Sequence, residues 1–435
     1  MSASSRTVEP AARPLKGRIV VPGDKSIAHR AVLFNAAARG VATVRGLPDG
    51  ADVASTLGAM AALGCRVDRT SVGEVVIEGR DFRFAEPASA IDCGNSGTTM
   101  RLLMGLLAGQ DFRAVLDGDA SLRRRPMERV AKPLRSMGAE IATTDGRAPV
   151  TVRGRALTAS AHGMTVASAQ VKTALLLAAL QARGQSEIRE PAATRDHSER
   201  MLRAMGAPIA TSNARITVDG PGRLATIDVD VCGDASSAAF FAVAGTIVGE
   251  SRLVIERVCL NPTRLGFVAI LRRMGGRIEI IERGENAGEP FGDLVVEAVP
   301  LVGTAIAAEE IPACIDELPV LAVAAATAEG RTTIEGAEEL RVKESDRIAT
   351  VAALLRAWGI AVDERPGGML IDGIACVRGR RFRGNVKVDS HGDHRIAMAA
   401  AVGALVADGC VTIANADAAV VSFPRFFETL AEAHA

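Results

Sequence analysis

Eight cations stand beside or between small polar clusters in this sequence: Lys25 and Arg30 in GDKSIAHR, Arg101 after GNSGTTM, Arg125 in SLRRRPM, Arg195 in TRDHSER, Lys343 and Arg347 in RVKESDR, and Arg395 in GDHR. The clusters themselves read as helix starts: Lys25 and Ser26, Asn95 to Thr99, Ser168 and Gln170, Asp234 to Ser237, Asp316 and Glu317, Asp393 to Arg395. A helix start already carries free N–H groups and a partial positive charge, so a cation there is electrostatically wrong for the helix alone. It becomes right if an anion sits between them, and several such places imply ligands carrying more than one phosphate or carboxylate. An ordinary helix cap accounts equally well for Asp234, Ser236 and Ser237. It does not account for the cations. Among them lie candidate acids and bases, Asp316, Glu317, Glu344 and His394, and the carboxylates among these, embedded in positive potential, suit separate proton-transfer roles. With no Ser/His/Asp order, no GxGxxG after a strand, no Walker loop and no HExxH, the chemistry that fits is group transfer between anionic small molecules.

The elements that position these residues repeat. Segments opening with a polar cluster, continuing as an Ala/Leu helix and stopping near Gly begin at residues 23, 94, 168, 233, 316 and 392, roughly 74 apart. A second landmark, helix end then Gly then strand, recurs in ALGCRV, SMGAEI, AMGAPI, RMGGRI and AWGIAV. Glycine suits a helix end that turns through a left-handed residue. Six βαβαββ units follow, dividing as three plus three. The expected domains are 22–231 and 232–435 with residues 1–21, joined by a hinge near 21 and 232 that suggests closure over a ligand. LKGRIVV, residues 15–21, is expected to complete the sixth unit, and the residues before it read as a loose tail. Helices such as AFFAVAGTIV, ALLLAAL and IAMAAAVGALVA have no polar face and must be buried. Sheets should therefore wrap helices, giving α/β domains built as inside-out barrels.

Composition narrows the class further. The 435 residues are 48% hydrophobic and 23% charged, with 51 basic against 51 acidic side chains. That balance, with 12 Phe, one Trp and no Tyr, offers neither the field nor the stacking surface nucleic acid requires. No apolar stretch exceeds the 12 residues of Ile396 to Ala407, well short of the ~20 that span a bilayer. The N-terminus lacks an apolar signal region, so a cytoplasmic location is expected. The 7 cysteines are scattered without CxxC or close Cys/His spacing and read as buried small hydrophobes, with no metal and no cofactor expected. Only six basic residues are Lys (16, 25, 132, 172, 343 and 387) against 45 Arg. A lysine kept against that bias marks a place where a compact ammonium serves better than a planar fork.

In order along residues 23–402, GDKSIAHR, GNSGTTMR, RRRPM, SAQVKTALL, TRDHSERML, GDASSAAFF, DELPVLA, RVKESDRI and GDHRIAMA resemble the enolpyruvyl transferase family, on the branch that acts on shikimate 3-phosphate. The resemblance implies two inside-out α/β domains of three units each. It implies transfer of the carboxyvinyl group of phosphoenolpyruvate to the 5-hydroxyl of shikimate 3-phosphate, with release of phosphate, in aromatic amino acid biosynthesis. It further implies that Lys25, Ser26, Arg30, Ser168, Gln170, Arg195, Asp316 and Lys343 hold shikimate 3-phosphate. Phosphoenolpyruvate would lie with Lys25, Gly97, Arg125, Gln170, Arg347 and Arg395. Lys25, Asp316 and Glu344 would be catalytic, Asp316 as base for the hydroxyl and Glu344 as acid for the methylene carbon. The expected partners are these two small molecules, with a monomer that binds neither nucleic acid nor membrane.

Two departures stand out. Val421 precedes Ser422, Phe423 and Pro424 where many members carry lysine, and Leu102 stands where many carry proline, which resembles the more divergent bacterial branch. The sister activity on UDP-N-acetylglucosamine relies on a loop cysteine, and no Cys occurs between 93 and 232. A non-catalytic repeat scaffold is the other alternative, and the clustering of Asp316, Lys343, Glu344 and Arg395 speaks against it.

Overall fold

The six opening helices set the architecture, and the computed structural model describes residues 4–376 and 379–433. They span Lys25–Ala37, Gly97–Leu107, Ala169–Ala179, Ala235–Ile247, Leu318–Thr327 and His394–Ala404. Asp24, Ser96, Ser168, Asp234 and Asp393 cap five of them, each side chain accepting from a backbone N–H two or three residues on. Past their first residues they are buried nearly all round; in Leu318–Thr327 and His394–Ala404 every residue is buried. The second helix of a unit differs. In Glu128–Ser136 only Val130, Ala131 and Leu134 are buried, the stripe expected of a helix with one face in water.

The chain divides into a continuous unit, Gly23–Val231 with Glu285–Glu289, and a split unit formed by the residues up to Pro22, Cys232–Gly284 and those from Pro290 onward. Among the described residues each unit has three sheets, hydrogen-bonded separately, and these sheets wrap the buried helices. Strand Arg147–Arg153 shows how a sheet covers the helices: Ala148, Val150 and Val152 are buried while Arg147 and Arg153 are exposed. Helices inside can approach closely where a residue is small. A Cβ on Gly105 would lie 2.1 Å from the Ala174 carbonyl oxygen, so helix Gly97–Leu107 rests directly on the backbone of Ala169–Ala179. In the split unit, Gly403 leaves room for Trp358, whose ring stacks on Phe382 at 5.0 Å between centroids. The glycine landmarks are left-handed as their position requires, with φ of 81° at Gly64, 108° at Gly138, 82° at Gly206, 97° at Gly275 and 83° at Gly359.

Two expectations are corrected at the N-terminus. Strand Lys16–Val20 pairs in parallel with Arg252–Cys259 and so completes the fourth repeat, not the sixth. The sixth is completed by Ser5–Val8, which pairs antiparallel with Val411–Ala414, so these residues are no loose tail. The physical reason is a strand exchange. Each βαβαββ repeat needs a short leading strand, and the chain passes between units just after that strand is made. Hence Val229–Asp230 leads the first repeat through its pairing with Val44 and Arg45, while Lys16–Val20 leads the fourth. Among the described residues the last repeat has no closing hairpin of its own, and Ser5–Val8 takes an edge of its three-stranded sheet. No described helix is long and apolar enough to cross a membrane.

Candidate active site

In the continuous unit, the first turns of three buried helices carry the expected residues. Lys25 follows the cap Asp24 and its Nζ lies 2.9 Å from Asp52 Oδ2. Arg30, one turn on, is buried and fully employed: Nη1 donates to the Ser26 carbonyl at 2.8 Å, Nε to Ser198 Oγ at 2.7 Å and Nη2 to Thr173 Oγ1 at 2.8 Å. Burial pulls its pKa down to about 10 and the like charge of Arg195 acts the same way, against Glu199, Asp24 and Glu289. Arg30 stays charged at neutral pH, and the charge of Arg195 is felt beside it.

At the second helix, Arg125 Nη2 donates to Asn95 Oδ1 at 2.7 Å, and Asn95 in turn donates to Asp119 at 2.7 Å. Arg101 Nη1 donates to Gln170 Oε1, and Gln170 Nε2 donates to Thr98 Oγ1 at 2.9 Å. Gly97 lies under both cations. A Cβ there would sit 3.1 Å from Arg101 Nη1 and 3.3 Å from Arg125 Nη1, so the missing side chain leaves space for two guanidinium groups over a helix start. Ser168 serves as the cap of Ala169–Ala179, its Oγ accepting from Val171 N at 3.5 Å.

The split unit brings Asp316, Lys343, Glu344, Arg347, Asp393 and Arg395 together. Arg347 is 1% exposed. Its Nε donates to Asp393 Oδ2 at 2.8 Å, Nη1 to Asp316 Oδ1 at 3.2 Å and Nη2 to Glu344 Oε2 at 2.6 Å. Three carboxylates on one guanidinium lift its pKa far above the ordinary value despite burial. Asp393 answers to it: burial, the largest influence, would raise its pKa, but the charge of Arg347, that of His394 and the Arg347 hydrogen bond together hold it below the usual carboxylate range. Arg395 Nη1 donates to the Asp316 backbone carbonyl at 2.8 Å, and its Nε lies 3.9 Å from Asp316 Oδ1. Lys343, half-buried and next to Arg347, has its pKa lowered by the partial loss of water and by the Arg347 charge, with Asp316, Glu344 and Glu339 opposing the shift.

One local expectation fails. Asp316 does not take its stabilisation from helix N–H groups, because the helix begins at Leu318 and its N-cap is Glu317. Guanidinium groups hold Asp316 in place of the helix start. Glu317 links this cluster to a neighbouring buried set: its Oε1 lies 4.0 Å from Arg395 Nη1 and accepts from Ser236 Oγ, with Arg264 Nη2 donating to Asp234 Oδ1 and Ser236 Oγ at 2.9 Å each. Sequence reasoning missed Arg264 and left Lys172 as an unexplained lysine. Only the rarity of Lys in the chain singled out the latter.

Known proteins share this fold and much of this sequence. An enolpyruvyl transferase from Streptomyces tendae, 19% identical, superposes with a TM-score of 0.81 over 99% of this chain and 97% of its own, which establishes the fold as that of enolpyruvyl transferases. An EPSP synthase from Acinetobacter baumannii, 42% identical, reaches a TM-score of 0.89 over 99% of this chain and 98% of its own. A 3-phosphoshikimate 1-carboxyvinyltransferase of Acidithiobacillus ferrooxidans is 51% identical over 420 residues, 96% of this chain and 95% of the relative. That of Geobacter metallireducens is 48% identical over 98% of both. The family model for EPSP synthase (3-phosphoshikimate 1-carboxyvinyltransferase) matches residues 10–430, and the chain belongs to this family.

Proposed function

We propose that the two sets of cations and carboxylates carry out the family reaction, transfer of the carboxyvinyl group of phosphoenolpyruvate to the 5-hydroxyl of shikimate 3-phosphate. Lys25, Ser26, Arg30, Ser168, Gln170, Arg195 and Lys343 hold shikimate 3-phosphate. Arg125, Arg347 and Arg395, with Lys25, Gly97 and Gln170, receive the phosphate and carboxylate of phosphoenolpyruvate. Asp316 takes the hydroxyl proton as the oxygen bonds to C2 of the enolpyruvyl group, and Glu344 gives a proton to C3, making a methyl group and a tetrahedral ketal phosphate. A methyl proton then returns to Glu344 as the C2–O bond to phosphate breaks, and the proton held by Asp316 leaves with the phosphate, giving the enol ether and hydrogen phosphate. Each proton transfer supplies about 10²- to 10⁴-fold, and the preorganised cations stabilise the charge that develops. No cofactor is called for.

The observation that carries this reading is the shared guanidinium of Arg347, which holds Asp316 and Glu344 at 3.2 and 2.6 Å. Glu344 there is a carboxylate sitting where a substrate anion would bind. When phosphoenolpyruvate competes for Arg347, Glu344 loses its strongest partner as a neighbouring negative charge arrives, and both changes favour its protonation. The substrate thus readies the acid. We further propose a cytoplasmic monomer acting on small molecules; its balanced charge and sparse aromatic content argue against a nucleic-acid partner. The test is phosphate release on mixing the protein with both substrates. Release requiring both supports the reading, and none under conditions where both bind overturns it.

A further inference from the structure

Lys172 is 1% exposed in the first turns of helix Ala169–Ala179, four residues from Ser168 and two from Gln170. Its Nζ lies 3.0 Å from Glu190 Oε2 and 2.7 Å from Glu199 Oε1. Those two carboxylates stand at opposite ends of one segment. Glu190 ends the strand Gly184–Arg189 and accepts from Thr194 Oγ1, while Glu199 lies in the first turn of helix His197–Ala204. Between them runs the turn that carries Arg195. The residue after Lys172 tightens the same joint: Thr173 Oγ1 and Ser198 Oγ are 2.6 Å apart, and Arg30 donates to both. In charge the assembly is balanced, with Lys172 and Arg30 against Glu190 and Glu199. Glu199 Oε2 has no hydrogen-bond partner, and burial raises the Glu199 pKa even against the pull of Lys172.

We propose that Lys172 is a positioning residue for shikimate 3-phosphate: its ammonium ties both ends of the Arg195 turn to the helix that presents Ser168 and Gln170, so that Arg195, Arg30, Ser168 and Gln170 are held as one rigid receptor. Lysine is the residue for this place because its compact head meets two carboxylate oxygens from one point, whereas a guanidinium would bring five donors into a site with room for few. The assignment rests on the reading that Arg195 and its neighbours bind shikimate 3-phosphate. Lys172 touches neither substrate; it acts through the residues it ties.

Phosphate-release kinetics with each substrate varied in turn test the proposal, alongside thermal melting. Lys172→Met leaves two buried carboxylates against Arg30 alone. It is expected to raise the KM for shikimate 3-phosphate by roughly tenfold or more, the scale at which small misplacements of binding groups are felt, with that for phosphoenolpyruvate within about twofold. Adding Glu199→Gln restores the charge balance without restoring the tie and should recover little of the loss; recovery of most of it would assign the effect to charge alone and overturn the positioning role. Should Lys172→Met fail to fold, Thr194→Val decides, since it frees the turn from Glu190 without altering any charge. It should raise the same KM several-fold at an unchanged melting temperature. An unchanged KM for shikimate 3-phosphate in Thr194→Val and in folded Lys172→Met, or equal rises for both substrates, overturns the proposal. Arg195→Gln separates the two levels. If it leaves the KM for shikimate 3-phosphate unaltered, the underlying reading of Arg195 fails; if it raises that KM while the Lys172 and Thr194 variants do not, only the positioning role fails.

Discussion

Replacing Gly97 by alanine is the smallest change that reaches the cation pair over helix Gly97–Leu107. The added methyl would lie 3.1 Å from Arg101 Nη1 and 3.3 Å from Arg125 Nη1, closer than comfortable carbon–nitrogen contact, so a guanidinium must withdraw by a few tenths of an ångström. Arg101 is buried and fixed to Gln170 and to the Pro126 carbonyl. Arg125, less buried and held to Asn95 at 2.7 Å, yields first. A charge-assisted hydrogen bond contributes about 1.5–3 kcal/mol net, and loosening one by about half costs ~1 kcal/mol, or about five- to tenfold in affinity. Gly97→Ala should therefore raise the KM for phosphoenolpyruvate by that factor and weaken phosphonate mimics of it at least as much. The KM for shikimate 3-phosphate should stay within about twofold. Initial rates of phosphate release, with each substrate varied at saturating levels of the other, give both constants. Equal losses for the two substrates would mean that Gly97 serves only the backbone, and no loss at all would remove Arg125 from the phosphoenolpyruvate clamp.

Asp316→Asn should cut turnover by at least about a hundredfold, the lower bound for a lost general base, with the Kd for shikimate 3-phosphate within a few fold by calorimetry. Near-normal turnover would end its role as base. Glu344→Gln should suppress entry of solvent deuterium into the methyl-forming carbon, read by mass spectrometry of the recovered substrate, and undiminished entry would exclude Glu344 as the acid. His29 is buried, its Nδ1 2.7 Å from Thr56 Oγ1, and burial lowers its pKa from 6.5 to about 3. Because the folded value lies below the unfolded one, folding is unpenalised above pH 6.5 and loses about 1.4 kcal/mol per pH unit below it. Denaturant unfolding at pH 7.5 and 5.0 should show wild type losing about 2 kcal/mol more than His29→Gln, and parallel losses would refute the assignment.

What the sequence made legible was what local pattern encodes. Caps such as Asp24 and Ser96, all-apolar helices and glycines at 64, 138, 206, 275 and 359 each leave a signature within a few residues, so the six repeats and their cationic helix starts could be read directly. Pairing between distant segments leaves none. Lys16–Val20 and Ser5–Val8 are both short strands with mostly exposed residues, and nothing in either says which of two incomplete sheets it joins. Lys172 was opaque for a related reason. It sits in a helix whose neighbours are apolar, and its partners Glu190 and Glu199 come from elements whose approach only the fold decides. The chemistry of Asp316 was legible as a carboxylate at a helix start. Its actual stabiliser was not, since the helix begins two residues later than the polar cluster suggests.

The two N-terminal strands bear on how the chain is made. Leu15 N donates to Ser251 Oγ across 236 residues of sequence, and Thr7 meets Thr412 across 405. At a synthesis rate of roughly 5–20 residues per second, the second partner emerges about 20 to 80 s after the first. Through that interval the continuous unit has almost everything it needs to fold, while Ser5–Val8 and Lys16–Val20 wait with open edges. Their sequences suit the wait: Arg6, Lys16 and Arg18 put positive charge on them, and Gly17 interrupts the longer one, both of which discourage pairing with the wrong partner. Strands made well before their partners are thus among the last to find their place, and removing or blocking them should spare the continuous unit while leaving the fourth and sixth sheets without an edge.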